Sequence, residues 1–170
     1  MRRPRAGDVR PVVYLLVGLT GSGKTTYARQ VLEPAGALRL SVDELVYQHH
    51  GRYGVDYPEQ EYFAREAPAV AEVRERLVEL VEAGRDVVVD HGLWLRRDRE
   101  EWKKLVEQAG GRWRLVYFDV PRRELLRRLA ERNLREDADA LTVTPEALND
   151  FYARFEPPGE DEGAEAPSGW

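Results

Sequence analysis

The chain has 170 residues, a formal net charge of −5, 42% hydrophobic residues and no cysteine. That length suits one domain with a full core. The lack of thiols excludes disulfides, thiolate metal sites and cysteine nucleophiles, and no apolar run approaches the ~20 residues of a membrane span. The opening Met1-Arg2-Arg3-Pro4-Arg5 carries no secretory leader pattern, so a cytoplasmic enzyme is the expectation. Acid is concentrated at the end, where Glu156, Glu160, Asp161, Glu162 and Glu165 stand without a base. Base is concentrated over 112–135, with Arg112, Arg114, Arg122, Arg123, Arg127, Arg128, Arg132 and Arg135. This Arg stretch is the only footprint a nucleic acid would find, and a triphosphate accounts for part of it.

In chain order, the apolar run 12–17 predicts a strand. Gly18-Leu19-Thr20-Gly21-Ser22-Gly23-Lys24-Thr25 follows and opens a helix at about 23–33. Strand, G-x-x-x-x-G-K-[ST] and helix in that order form a phosphate loop. Its glycines permit backbone conformations that turn successive N–H groups onto a phosphate chain, and the helix aims its positive end at the same anion. Gly18, Thr20, Gly21, Ser22, Gly23, Lys24, Thr25 and Thr26 are the candidate nucleotide-binding residues. Lys24 is expected to neutralise the β- and γ-phosphates, and Thr25 to ligate Mg²⁺.

A short second strand is predicted over 37–41, with Asp43 just beyond it and an aromatic-rich, Gly- and Pro-broken stretch from Tyr47 to Phe63. Val70, Val73, Leu77, Leu80 and Val81 repeat at helical spacing up to Gly84. Residues 86–90 read as a buried parallel strand ending at Asp90, the second candidate metal ligand. A helix over 96–109, a strand over 113–120, a helix opened by Pro121 and another capped by Thr144 complete the body. Beyond about 158 an acidic tail is either mobile or forms a short edge strand. The expected organisation is a kinase-sized domain over 1–158 and a tail over 159–170. The alternation predicts an α/β, three-layer P-loop fold: a parallel sheet of four or five strands, helices on both faces, and a site at the carboxyl ends of the strands.

No Asn-Lys-x-Asp occurs, and Asp90-His91-Gly92-Leu93 is not Asp-x-x-Gly, which disfavours a guanine-specific switch. From Tyr14 to about Gly163 the chain resembles the polynucleotide-kinase-like and zeta-toxin-like group of P-loop kinases, an AAA-type ATP-binding kinase domain. The resemblance rests on Gly18–Thr25, Ser41-Val42-Asp43, and Val89-Asp90 followed by Arg96 to Trp102. Leu129 to Asn133, Val143-Thr144-Pro145 and Phe155-Glu156-Pro157-Pro158 extend it. It implies ATP and Mg²⁺ as cofactors and Asp43 as general base toward a hydroxyl acceptor. It also implies that Arg132 stabilises the transferring phosphoryl, Arg128 packs on the base, and a lid covers about 133–144. Asp43 also reads as a helix cap, and Asp90 as the partner of an Arg. Arg128 and Arg132, four apart, also read as one solvated helix face with Glu124 and Glu131.

His91 departs from the small polar residue expected after Asp90. Val46 stands where nucleic-acid kinases of this group carry an Arg, with Arg52 the only substitute nearby. The favoured activity is therefore an ATP-dependent phosphotransferase acting on an alcohol group of a metabolite, nucleoside or antibiotic. A polynucleotide 5′-hydroxyl kinase is second, and a nucleotide-binding regulatory module without transfer is third.

Overall fold

The computed structural model describes residues 9–133 and 144–168. Five parallel strands form one sheet in the order β2-β3-β1-β4-β5: β1 Val12–Val17, β2 Leu38–Ser41, β3 Val87–Gly92, β4 Arg112–Tyr117 and β5 Ala164–Glu165. α1 (Lys24–Tyr27) runs on into a π-helical turn over Ala28–Leu32. α2 (Val42–His50), α3 (Tyr62–Glu82), α4 (Arg96–Gln108), α5 (Arg122–Asn133) and α6 (Pro145–Arg154) follow. The expected lid, including Arg135, lies outside the described residues apart from its flanks.

Side chains alternate along β1, and this sets the layers. Val13, Leu15 and Val17 pack with Val73, Leu77 and Val81 of α3 and with Trp102 and Val106 of α4. Leu16 faces the other way, onto Tyr27, Ala28 and Leu32. A third cluster of Leu19, Leu125, Leu129 and Leu148 holds α5 and α6 over the phosphate loop. Both faces of the sheet are thus covered, as a parallel sheet of near-continuous apolar strands requires.

The structure differs from the sequence expectation in three places. β2 is separated from β1 by β3, so the second strand is not beside the phosphate loop. β4 stops at Tyr117; Phe118 still donates its amide to Val17 at 2.8 Å, after which the chain turns into α5. α3 starts at Tyr62, well before the apolar repeat, and carries Pro68 inside it. The acidic tail takes the edge-strand alternative: it folds back as a 3-10 turn and β5, tied by Arg114 to Glu165 and by Arg96 to Asp161.

Candidate functional site

The phosphate loop owes its shape to glycine at defined positions. Gly21 and Gly23 adopt φ of 86° and 99°, where an L side chain is strained. At Gly18 a Cβ would lie 2.6 Å from Ser22 Oγ, so the loop closes only without one. Lys24 Nζ donates to the Gly18 and Leu19 carbonyls at 2.9 and 3.1 Å, folded over the loop it serves. Ser22 Oγ is buried with no hydrogen-bond partner among the described residues, an orphan polar atom that a bound anion would satisfy. Thr26 is exposed. Arg128 donates to the Gly21 carbonyl at 3.1 Å while Glu124 holds its Nε at 3.0 Å, so it does reach the loop. Arg127 instead pairs with Glu124 and Glu131 on the solvated face. Arg132 has its backbone in the last turns of α5; its side chain lies outside the described residues.

Behind the loop, Thr25 Oγ1 donates to Asp90 Oδ2 at 2.8 Å, so the two candidate metal ligands stand together. Two hard oxygens of this kind suit Mg²⁺, which takes one or two protein ligands and completes its shell with phosphate and water. Arg39, which the sequence reading passed over, donates to the same Asp90 oxygen from Nε and Nη2 at 3.0 and 2.9 Å, and to Glu44 at 2.6 Å. The Asp90 carboxylate is buried, and this fork is what makes its charge tolerable. Arg39 sits on β2 paired with Val88 of β3, the placement that brings its side chain to Asp90.

Asp43 lies in the first turn of α2. Ser41, not Asp43, caps that helix: its Oγ accepts from the Glu44 amide at 3.2 Å. The Asp43 carboxylate, released from capping, accepts a hydrogen bond from the Tyr62 hydroxyl. Both residues line a cleft of about 960 Å³ that also holds Gly18, Thr20 and Lys24. Glu66 joins them from one turn further along α3. Burial first, then the Asp43 charge, push its carboxyl up to about 7, against the hydrogen bond from Tyr62. Tyr62 stands in the aromatic stretch legible in the sequence, though not in this role, and Glu66 was not picked out. Their i, i+4 spacing places both on one face of α3, which runs unbroken through Pro68.

His91 enters the cleft through a register shift. Leu16 pairs with Asp90 and Val17 with Gly92, so His91 is the extra residue of a bulge, which turns its side chain out. Its ring meets Trp102, and its Nε2 stands 3.8 Å from Glu66. Burial holds the imidazole below its ordinary pKa, against the pull of Asp43, Asp98 and Asp90. Trp102 is core, as expected. Of the three Arg residues after β3, Arg97 lines the cleft and Arg96 binds the tail. Arg99 is fully buried; it pairs with Glu162 at 2.7 Å and donates to the Leu93 and Trp94 carbonyls.

The aromatic stretch splits. Tyr53, Tyr62 and Phe63 line the cleft, Tyr57 is core, and Tyr47 is exposed. Val46 is buried in the core, and Arg52 turns to Asp56. No described helix is long and apolar enough to cross a membrane.

A family model described as an AAA domain matches residues 13–158. Shikimate kinase from Synechococcus elongatus is 33% identical over 146 residues, covering 82% of this chain and 72% of that protein. A solved protein from Chloroflexus aurantiacus superposes with a TM-score of 0.72 at 15% identity, over 92% of this chain and 87% of that one. A gluconokinase from Sinorhizobium meliloti gives 0.64 at 21% identity, over 92% and 82%. At these identities the two solved structures establish the shared fold.

Proposed function

We propose, from the premise that this chain belongs to the AAA domain family of P-loop kinases, that it transfers the γ-phosphoryl group of ATP to an alcohol of a small molecule. The observation that carries this reading is the convergence of Lys24 and Asp43 on one cleft, with the Thr25–Asp90 pair behind the loop. A passive nucleotide binder has no use for a carboxylate facing the phosphate loop.

Asp43 takes the proton of the acceptor hydroxyl. That oxygen bonds to the γ-phosphorus, and the bond from this phosphorus to the ADP oxygen breaks. Tyr62 positions the Asp43 carboxylate. Lys24 leaves the loop carbonyls to meet the β- and γ-phosphates, Arg128 approaches the nucleotide from α5, and the family resemblance assigns Arg132 to the charge of the transferring phosphoryl. Thr25 and Asp90 would hold Mg²⁺, which would neutralise phosphate charge when bound. The enzyme is cytoplasmic, and its nearest group by motif order is the polynucleotide-kinase-like and zeta-toxin-like one. Against a polynucleotide acceptor, Val46 is buried and Arg52 is engaged by Asp56, which leaves that edge without a phosphate reader.

Transfer from γ-labelled ATP to a panel of alcohols, shikimate among them, and to a 5′-hydroxyl oligonucleotide tests the proposal. Asp43→Asn is expected to bind ATP normally while losing about 10²–10⁴-fold in turnover. Lys24→Ala is expected to lose a few kcal/mol of transition-state stabilisation, roughly 10²-fold or more in rate. Wild-type transfer by Asp43→Asn would remove Asp43 from the chemistry.

A further inference from the structure

Five carboxylates line the cleft: Asp43, Glu59, Glu66, Asp98 and Asp150. Two of them have a cation of their own, Asp98 with Arg97 at 3.6 Å and Asp150 with Arg154 at 3.2 Å. Arg154 is further occupied by the Phe63 ring, 5.4 Å from its guanidinium carbon. Asp43, Glu59 and Glu66 have no Arg or Lys at ion-pair distance among the described residues. The neighbour of Glu66 is His91, its Nε2 3.8 Å away. With Lys24 committed to phosphate, the described residues at the acceptor end of the cleft carry a surplus of negative charge, from Asp43 and Glu59.

The walls point the same way independently. Tyr53 and Tyr62 meet edge to face at 5.4 Å, and Trp94 and Phe151 stand 4.9 Å apart; all four line the cleft. Aromatic faces attract cations and offer nothing to an anion. Burial, then the charges of Glu59 and Asp150, push the Tyr53 phenol above its ordinary value, against the pull of Arg154; Glu59 and Tyr53 line the same cleft. From there the path to the base is short, through the Tyr53–Tyr62 contact to the Tyr62–Asp43 hydrogen bond.

We infer that the acceptor is an alcohol bearing an ammonium group, an amino sugar or a hydroxylated amine, whose cation rests against Glu59 and Tyr53 while its hydroxyl meets Asp43. This rests on the kinase reading above and narrows its acceptor class. A carboxylate-bearing acceptor would face the unpaired acids and, among the described residues at that end, would find Arg97 and Arg154, each paired with an aspartate.

Matched sets that differ only in charge give the test: glucosamine, glucose and gluconate, then aminopropanediol, glycerol and glycerate, with shikimate as a further carboxylate. Two readouts are taken with Mg²⁺ and ATP, kcat/KM for phosphoryl transfer and quenching of tryptophan fluorescence that Trp94→Phe removes. The aminated member is expected to exceed its neutral partner by about tenfold or more. The variant Glu59→Gln, at an exposed position, is expected to abolish that advantage and leave ATP binding unchanged. Equal use of aminated and neutral members, preference for a carboxylated one, or no quenching by any amine would overturn the inference. Failure of the wild type to bind ATP at all would instead bring down the kinase reading, and this inference with it.

Discussion

At Glu66 a half-buried carboxyl is faced by Asp43 from α2 and by Asp98 from α4, against the hydroxyl of Tyr62. Its pKa therefore rises on folding, from the ordinary 4.5 to about 7. Between those values the unfolded chain has lost this proton and the folded chain still holds it, so stability falls as pH rises through the window. Above it the cost is fully present, up to about 3 kcal/mol. Glu66→Gln is accordingly expected to stabilise the fold at about pH 8 and to do little at about pH 5. Urea unfolding at the two values checks this, and equal effects would refute it. At Asp90, by contrast, a buried carboxylate is met by two donors of Arg39. Arg39→Gln is expected to cost about 3 kcal/mol, with only partial rescue by Arg39→Lys, which has no fork. Denaturant titration of both variants measures it.

At the scale of elements, what could be read in the chain was what local physics dictates. The phosphate loop declared itself because Gly21 and Gly23 need positive φ and a strand and helix had to flank them. The strands showed as apolar runs because both sheet faces are covered. Thr144 was recognisable as a cap, and its Oγ1 does accept from Ala147. The features that escaped depend on partners distant in the chain. The start of α3 was masked by Pro68. The Arg39–Asp90 pair spans two strands, and the bulge at His91 exists only relative to β1. Asp43 could be picked out, but not freed from the capping role until Ser41 was seen to fill it.

At the scale of the molecule, the C-terminal segment is a strap. Arg99 joins the Glu162 carboxylate to the Leu93 and Trp94 carbonyls, Lys103 holds the Glu162 carbonyl at 2.8 Å, and the Glu156 amide donates to Trp94. The loop that carries Trp94 into the cleft is thus clamped from a stretch more than sixty residues later. Glu162→Gln strands the Arg99 charge in the interior, at an expected cost of about 3–5 kcal/mol. Thermal unfolding of this variant reads that loss, and an unchanged midpoint would show the strap to be idle.

The bulge at His91 has a consequence for the energetics of ligand capture. Its imidazole is aimed by the strand's own surplus residue, so its orientation is settled when the sheet zips together. The ordering entropy of that wall is then spent during folding, and an incoming molecule meets a mould already cast.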